Sequence, residues 1–113
     1  MNITKSDPEK DVRLVEVDGE VDASTAPQLE DSLRACLAEG KKRLLLDLTR
    51  MTYMSSAGLR VLIRIFQDAK KLGAELCIAG LNSRVKTVFE VSGLLQVLPT
   101  CNTPQEALEG WGI

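Results

Sequence analysis

Two adjacent serines, Ser55 and Ser56, and two aspartates, Asp22 and Asp47, are the residues whose types and setting could do chemistry in this chain. The serines stand between an apolar run, Leu44 to Leu46, and an amphipathic run, Leu59 to Leu72. That order reads as strand, loop and helix, with the hydroxyls where the helix begins. The first amides of a helix have no intrahelical partner, and the dipole there is positive. A serine at that point caps the helix, and a phosphate carried on it is well held. Spacing alone does not choose between the two serines. Asp47, a polar residue at the end of an apolar run, is suited to accepting backbone N–H bonds in the following loop and so to shaping the serine loop.

The rest of the composition narrows the chemistry. The chain contains no histidine, which removes Ser-His-Asp and Cys-His nucleophile pairs and most transition-metal sites. No glycine precedes the serines, so they do not form a nucleophile elbow. Neither a Walker A loop nor a dinucleotide fingerprint occurs. Asp22 and Asp47 would make an acid–base pair only if the fold placed them together, and nothing in the sequence does so. No catalytic residue, metal site or cofactor is therefore expected. The 3 cysteines are odd in number and widely spaced. Cys36 falls on a helix stripe and Cys77 within an apolar strand; their spacing suits neither zinc nor a disulfide framework, and a reducing cytosol is the simplest setting.

The elements that must hold these residues follow from patterning. A chain of 113 residues, 44% hydrophobic and 27% charged, fits one domain over 1–113 with one core. Asn2-Ile3-Thr4 reads as a short strand, Ser6 to Glu9 as a turn, and Val12 to Val17 as a second strand pairing antiparallel with the first. Thr25 with Gln28 makes a capping box and Pro27 falls in the first turn of a helix whose Leu29, Leu33, Cys36 and Leu37 form one stripe. Gly40 ends it. Arg43 to Leu48, nearly all apolar, is a central strand buried on both faces. The helix from about Ser56 to Leu72 has an apolar arc wider than one sheet contact requires, so part of it is expected to pack on the first helix, the alternative being that part is exposed for a partner. Glu75 to Ala79 is a strand. Asn82 or Ser83 caps a helix closed by Gly93, Leu94 to Leu98 is a last short strand, and Thr103 to Glu106 opens a final helix reaching about Trp111. The order β-β-α-β-α-β-α-β-α predicts an α/β fold: a mixed, mostly parallel sheet with about four helices.

Charge and hydropathy bound the partners. The net charge is -2 and Lys41-Lys42-Arg43 is the only notable basic run, which disfavours nucleic acid. Met1 to Lys10 has no apolar stretch of the signal-peptide kind, and no run is long enough to span a bilayer, so a cytoplasmic protein with no membrane association is expected.

Two segments carry a resemblance. Gly19-Glu20-Val21-Asp22-Ala23-Ser24-Thr25-Ala26 and Asp47-Leu48-Thr49-Arg50-Met51-Thr52-Tyr53-Met54-Ser55-Ser56-Ala57-Gly58-Leu59 together resemble the STAS domain, and more narrowly the bacterial anti-sigma factor antagonists of the sporulation and general-stress type. The resemblance spans essentially the whole chain and implies a protein-binding switch. Such proteins bind an anti-sigma factor that is also a serine kinase, which releases the sigma factor. The kinase phosphorylates a serine two places before the motif glycine, here Ser56, and a serine phosphatase resets the switch. By the same resemblance Asp22 and Thr25 lie beside the serine, and the partner-binding set is Asp22, Thr25, Ser55, Ser56, Ala57, Gly58 and Arg60. Ser55 stands where many members have aspartate, which leaves it as a rival acceptor, and Ala57 replaces a frequent serine. The alternative within the same fold is a non-switching scaffold or regulatory module of the stressosome-like or transporter-associated kind, in which Ser56 only caps a helix.

Overall fold

The computed structural model describes residues 1–113. The chain opens with a hairpin of β1 (Asn2–Glu9) and β2 (Val12–Val21). In β2, Val15, Val17 and Val21 fall on one side at the two-residue period of a strand and are buried. The hairpin turn is at Lys10-Asp11, not at Ser6 to Glu9, which is strand. Pro8 is tolerated there because β1 is an edge strand, and the register shifts between Ser6 and Glu9.

The remaining elements are α1 (Ala26–Ala38), β3 (Arg43–Asp47), β4 (Met51–Met54), α2 (Ser56–Lys71), β5 (Glu75–Ala79), α3 (Ser83–Ser92), a 3-10 turn (Leu94–Gln96), β6 (Thr100–Cys101) and α4 (Pro104–Gly110). The sheet order is β1-β2-β3-β5-β6, with β4 alongside β2. Only β1 and β2 are antiparallel; the other pairs are parallel. The mixed, mostly parallel sheet with four helices is thus the expected fold. Two expectations within it fail. The apolar run Leu94 to Leu98 is a 3-10 turn and its exit, and the last strand comes later, at Thr100–Cys101. Met51–Met54, read as loop, is a strand.

That extra strand explains why β2 is long. Its first half, Val12 to Glu16, pairs with β3, and its second, Gly19 to Val21, pairs with β4. Between β3 and β4 the chain leaves the ladder for a tight turn. Asp47 organises it: its Oδ1 accepts from the Thr49 amide at 3.0 Å and from the Thr49 hydroxyl. Gly80 lies against Thr49 so closely that a Cβ there would sit 2.2 Å from the Thr49 hydroxyl oxygen. With φ at +78°, Gly80 is doubly required to be glycine.

The sheet buries unequal faces. The main core joins α1, α2 and α3 to the face of Val15, Val17, Leu44, Leu46, Leu76 and Ile78. The opposite face carries a small cluster, Leu45, Ala79 and Ala107 of α4, flanked by Cys77, Cys101 and Trp111. The expected contact of α2 with α1 is present and accounts for much of the wide apolar arc. Leu72, at its far end, is exposed. No helix is long and apolar enough to cross a membrane.

Charge reinforces the α1–α2 contact. Glu30 of α1 bonds Arg34 on its own helix at 2.9 Å and Arg64 of α2 at 2.8 Å, while Arg34 reaches Asp68 of α2 at 2.6 Å. Arg64, then Arg34, hold the Glu30 carboxyl down to about 2. Its folded value lies below the ordinary 4.5, so the stabilisation is present above that value and is lost as pH falls through about 2. Both arginine side chains are more than two-fifths exposed, so water screens the pairs and the contribution is small. Glu30→Gln is expected to lower Tm by a few degrees at most near pH 6. The gap from wild type should shrink as pH falls from 4.5 toward 2, which thermal melts across that window will measure.

Candidate functional site

The site is a pair of loops at the ends of two parallel strands. Val21 of β2 is the register partner of Met54 of β4, so Asp22 and Ser55, the residues that follow, leave the sheet side by side. The Ser55 amide donates to the Val21 carbonyl at 2.8 Å and locks the second loop to the first. Main-chain bonding, set by strand pairing, therefore brings together the two segments that the sequence placed far apart.

The first loop is built on Asp22. Its Oδ1 accepts from the Ser24 hydroxyl at 2.7 Å, the Ser24 amide at 2.9 Å and the Thr25 amide at 3.0 Å. The Ser24 hydroxyl, then these amides, hold the Asp22 carboxyl below the usual carboxylate range, so it is charged at neutral pH. Thr25 turns inward. Its Oγ1 accepts from the Asp22 amide at 2.9 Å instead of capping α1. The expected capping box with Gln28 is not made. The local turn competes for the same hydroxyl and takes it.

The second loop separates the two serines. Ser55, with extended backbone at φ −81° and ψ 172°, is the N-cap of α2, and Ser56 is its first helical residue. Ser55 makes no side-chain cap bond. Its hydroxyl oxygen is covered and has no hydrogen-bond partner. Ser56 is exposed. The capping role that composition offered to Ser56 therefore belongs, by position, to Ser55. A covered hydroxyl without a partner contributes no net stabilisation. Ser55→Ala should leave stability equal, or higher by up to about 1 kcal/mol, whereas loss of a working cap costs about that much. Urea denaturation distinguishes the two signs.

Three further residues of the expected partner-binding set take different places. Ala57 is half-buried and Arg60 is exposed one turn further along; together with Ala23, Pro27 and Arg64 they line a shallow cleft between α1 and α2. Gly58 is buried and offers no surface to a partner. A Cβ there would lie 2.8 Å from Met54 Cγ and 2.9 Å from Val21 Cγ1. Its role is to let α2 sit down on the end of the β2–β4 pair. Asp47 and Asp22 occupy different turns: Asp47 bonds Thr49, and Asp22 bonds Ser24 and Thr25.

The sequence does not mark one contributor to the site. Asn82 caps α3, its Oδ1 accepting from the Val85 amide at 2.9 Å, while its Nδ2 donates to the Met51 carbonyl of β4 at 2.8 Å. The sequence offered Asn82 or Ser83 as that cap; Asn82 holds it, and it fastens the outer edge of β4 as well. Only recognition of Met51–Met54 as a strand would have exposed this second role.

A family model described as the STAS domain matches residues 5–107. BtrV of Bordetella bronchiseptica, a proposed anti-sigma factor antagonist, is 39% identical over 79% of this chain and 77% of its own length. The anti-sigma-B factor antagonist of Listeria monocytogenes is 33% identical over 94% of this chain and 95% of its own. Among solved structures, an anti-sigma factor antagonist from Mycobacterium paratuberculosis is similar at a TM-score of 0.85 with 26% identity, covering 96% of this chain and 93% of that one. The Bacillus cell fate determinant SpoIIAA in its phosphorylated form shares the fold at a TM-score of 0.74 and 16% identity, over 96% of this chain and 97% of that one.

Proposed function

Because this chain belongs to the STAS domain family, and through its relatives to the anti-sigma factor antagonists, we propose that it binds an anti-sigma factor that is also a serine kinase, and that phosphorylation of Ser56 ends the binding. The family is regulatory in kind. Sigma factor held by the partner is released while this chain is bound, and a serine phosphatase restores the unmodified form.

The observation that carries the reading is the unequal setting of the two serines. A kinase must reach a hydroxyl, and Ser56 is exposed while the Ser55 hydroxyl is covered. A phosphate on Ser56 would sit at the first position of the 16-residue α2, whose opening turn has no acidic residue. Free amides and the helix dipole favour it there, and Arg60 follows four residues on. The fold would keep its shape, and the new charge would act on the partner. Asp22, already charged on the adjacent loop, adds to that negative surface.

The test is a three-component mixing experiment with the anti-sigma factor kinase and sigma factor of the same genome, followed by size-exclusion chromatography. The expected result is a complex of this chain with the kinase and free sigma factor. Sigma factor that stays bound, with this chain eluting alone or as a self-assembled particle, would overturn the switch in favour of a scaffold.

A further inference from the structure

Cys77 and Cys101 are far apart in sequence, but β5 and β6 pair in parallel with Ile78 opposite Thr100 and Ala79 opposite Cys101. Both cysteines flank the small cluster under α4, and their sulfurs are 3.5 Å apart. Both are half-buried, so a small oxidant has access to them. The third cysteine, Cys36, is fully buried on α1 against the Arg13 guanidinium, on the other side of the sheet. We propose that Cys77 and Cys101 are a reversible oxidation site, a dithiol that peroxide converts to a disulfide.

Cys101 is the register partner of Ala79, so Cys77 lies diagonally across from it, and closing a bridge requires β6 to shift along β5. A disulfide needs the sulfurs closer by about 1.5 Å. β6 has only two residues, follows the exposed Pro99 and lies at the sheet edge, where the Gly80 amide reaches the Cys101 carbonyl at a long 3.3 Å. The Cys101 S–H donates to the Thr103 carbonyl at 3.2 Å, a weak bond that is easily given up. The strand that must shift is therefore the one least tied to the sheet.

The two thiols take separate parts. Cys101, on the edge strand, lines a surface cleft with Thr100, Asn102 and Glu106, while burial, then the neighbouring Cys101 sulfur, push the Cys77 thiol up. Cys101 meets the oxidant. Its thiolate attacks one oxygen of hydrogen peroxide, the O–O bond breaks, and hydroxide leaves with the proton that Cys101 had given up, as water. The Cys101 sulfenic acid then condenses with the Cys77 thiol: the S–S bond forms, the S–O bond breaks, and the thiol proton leaves with the sulfenic hydroxyl as a second water. Two electrons pass from the two sulfurs to the peroxide. A dithiol reductant reverses the bridge. The bridge closes a loop from Cys77 to Cys101 that contains α3, and with it the Asn82 amide that fastens β4.

The test uses the reduced full chain and hydrogen peroxide, with quenching, unfolding and alkylation by N-ethylmaleimide. The expected result is a fall from three alkylated thiols to one, Cys36, with a Cys77–Cys101 linked peptide in the non-reducing map and return to three after dithiothreitol. Cys77→Ser should stop at a Cys101 sulfenic acid that dimedone captures. Three alkylated thiols after peroxide, a link to Cys36, or sulfinic acid on Cys101 in place of the bridge would each overturn the proposal. The wild-type readout stands even if a variant folds poorly, and none of it depends on the partner-binding reading.

Discussion

Given ATP and the proposed partner kinase, this chain is expected to take up one phosphate, on Ser56; Ser56→Ala should take up none and Ser55→Ala should take it up as the wild type does. Peptide mass mapping reads each case directly. The partner's affinity then separates charge from shape. Ser56→Ala should bind within about threefold of wild type, because it removes one exposed hydroxyl. Ser56→Asp should bind at least tenfold more weakly, about 1.4 kcal/mol, because it places a carboxylate in a contact fitted to a neutral group beside charged Asp22. Isothermal titration with the kinase gives both values. An internal control comes from the helix dipole. Aspartate at the first position of α2 is favourable by about 0.3–1 kcal/mol, so Ser56→Asp should melt no lower than wild type while it binds worse. Equal binding by the two variants would remove charge as the discriminator.

Gly58→Val should be the most damaging single change near the site. The added Cβ alone would fall 2.9 Å from Val21 Cγ1. Val21 is fully buried and stiff at χ1, so it has nowhere to rotate. The Met54 side chain on the other side is flexible and relieves only part of the crowding. The expected loss is about 2–4 kcal/mol, read from urea or thermal unfolding. Gly58→Ala is the informative companion. It carries the same Cβ but not the two further methyls, and the roughly 1 kcal/mol that alanine gains over glycine in a helix offsets part of the overpacking, so it should lose less than Gly58→Val, about 0–2 kcal/mol. Its phosphorylation should nevertheless slow, because α2 relieves the contact by lifting from the strand ends and carries Ser56 with it. Unchanged kinetics in Gly58→Ala would mean that Val21 and Met54 yield and the helix stays seated.

Most of the architecture was legible because strong local signals agreed with it. Apolar runs at β3 and β5, the stripe on α1 and the capping residues of α3 and α4 each point to the element that forms. The failures share a cause in non-local competition. Met51–Met54 is too short to announce itself, and it becomes a strand only because β2 extends beyond β3 to meet it. Leu94 to Leu98 has the composition of a buried strand, but Gly93 at φ 77° turns the chain into a 3-10 step and postpones the ladder to Thr100. Thr25 has a capping-box sequence and spends its hydroxyl on the Asp22 turn. At the site, two neighbouring serines are chemically identical in sequence. Only the backbone, which puts one at the cap and the other one step into the helix, tells them apart. Cys77 and Cys101 meet for the same reason β4 exists: a strand pairing that no local window contains.

The long second strand has a further consequence for how such chains diversify. The serine loop hangs from β2 by main-chain bonds and the Val21–Met54 register, with Gly58 seated beneath it. The mount is thus specified by backbone and buried atoms, while the side chains around it that reach solvent, such as Ala23, Ser24 and Arg60, are free of that constraint. Duplicated copies can drift there while inheriting the mount unchanged. On the proposed reading, copies that differ only in those side chains would present the same hydroxyl on the same mount to different partners.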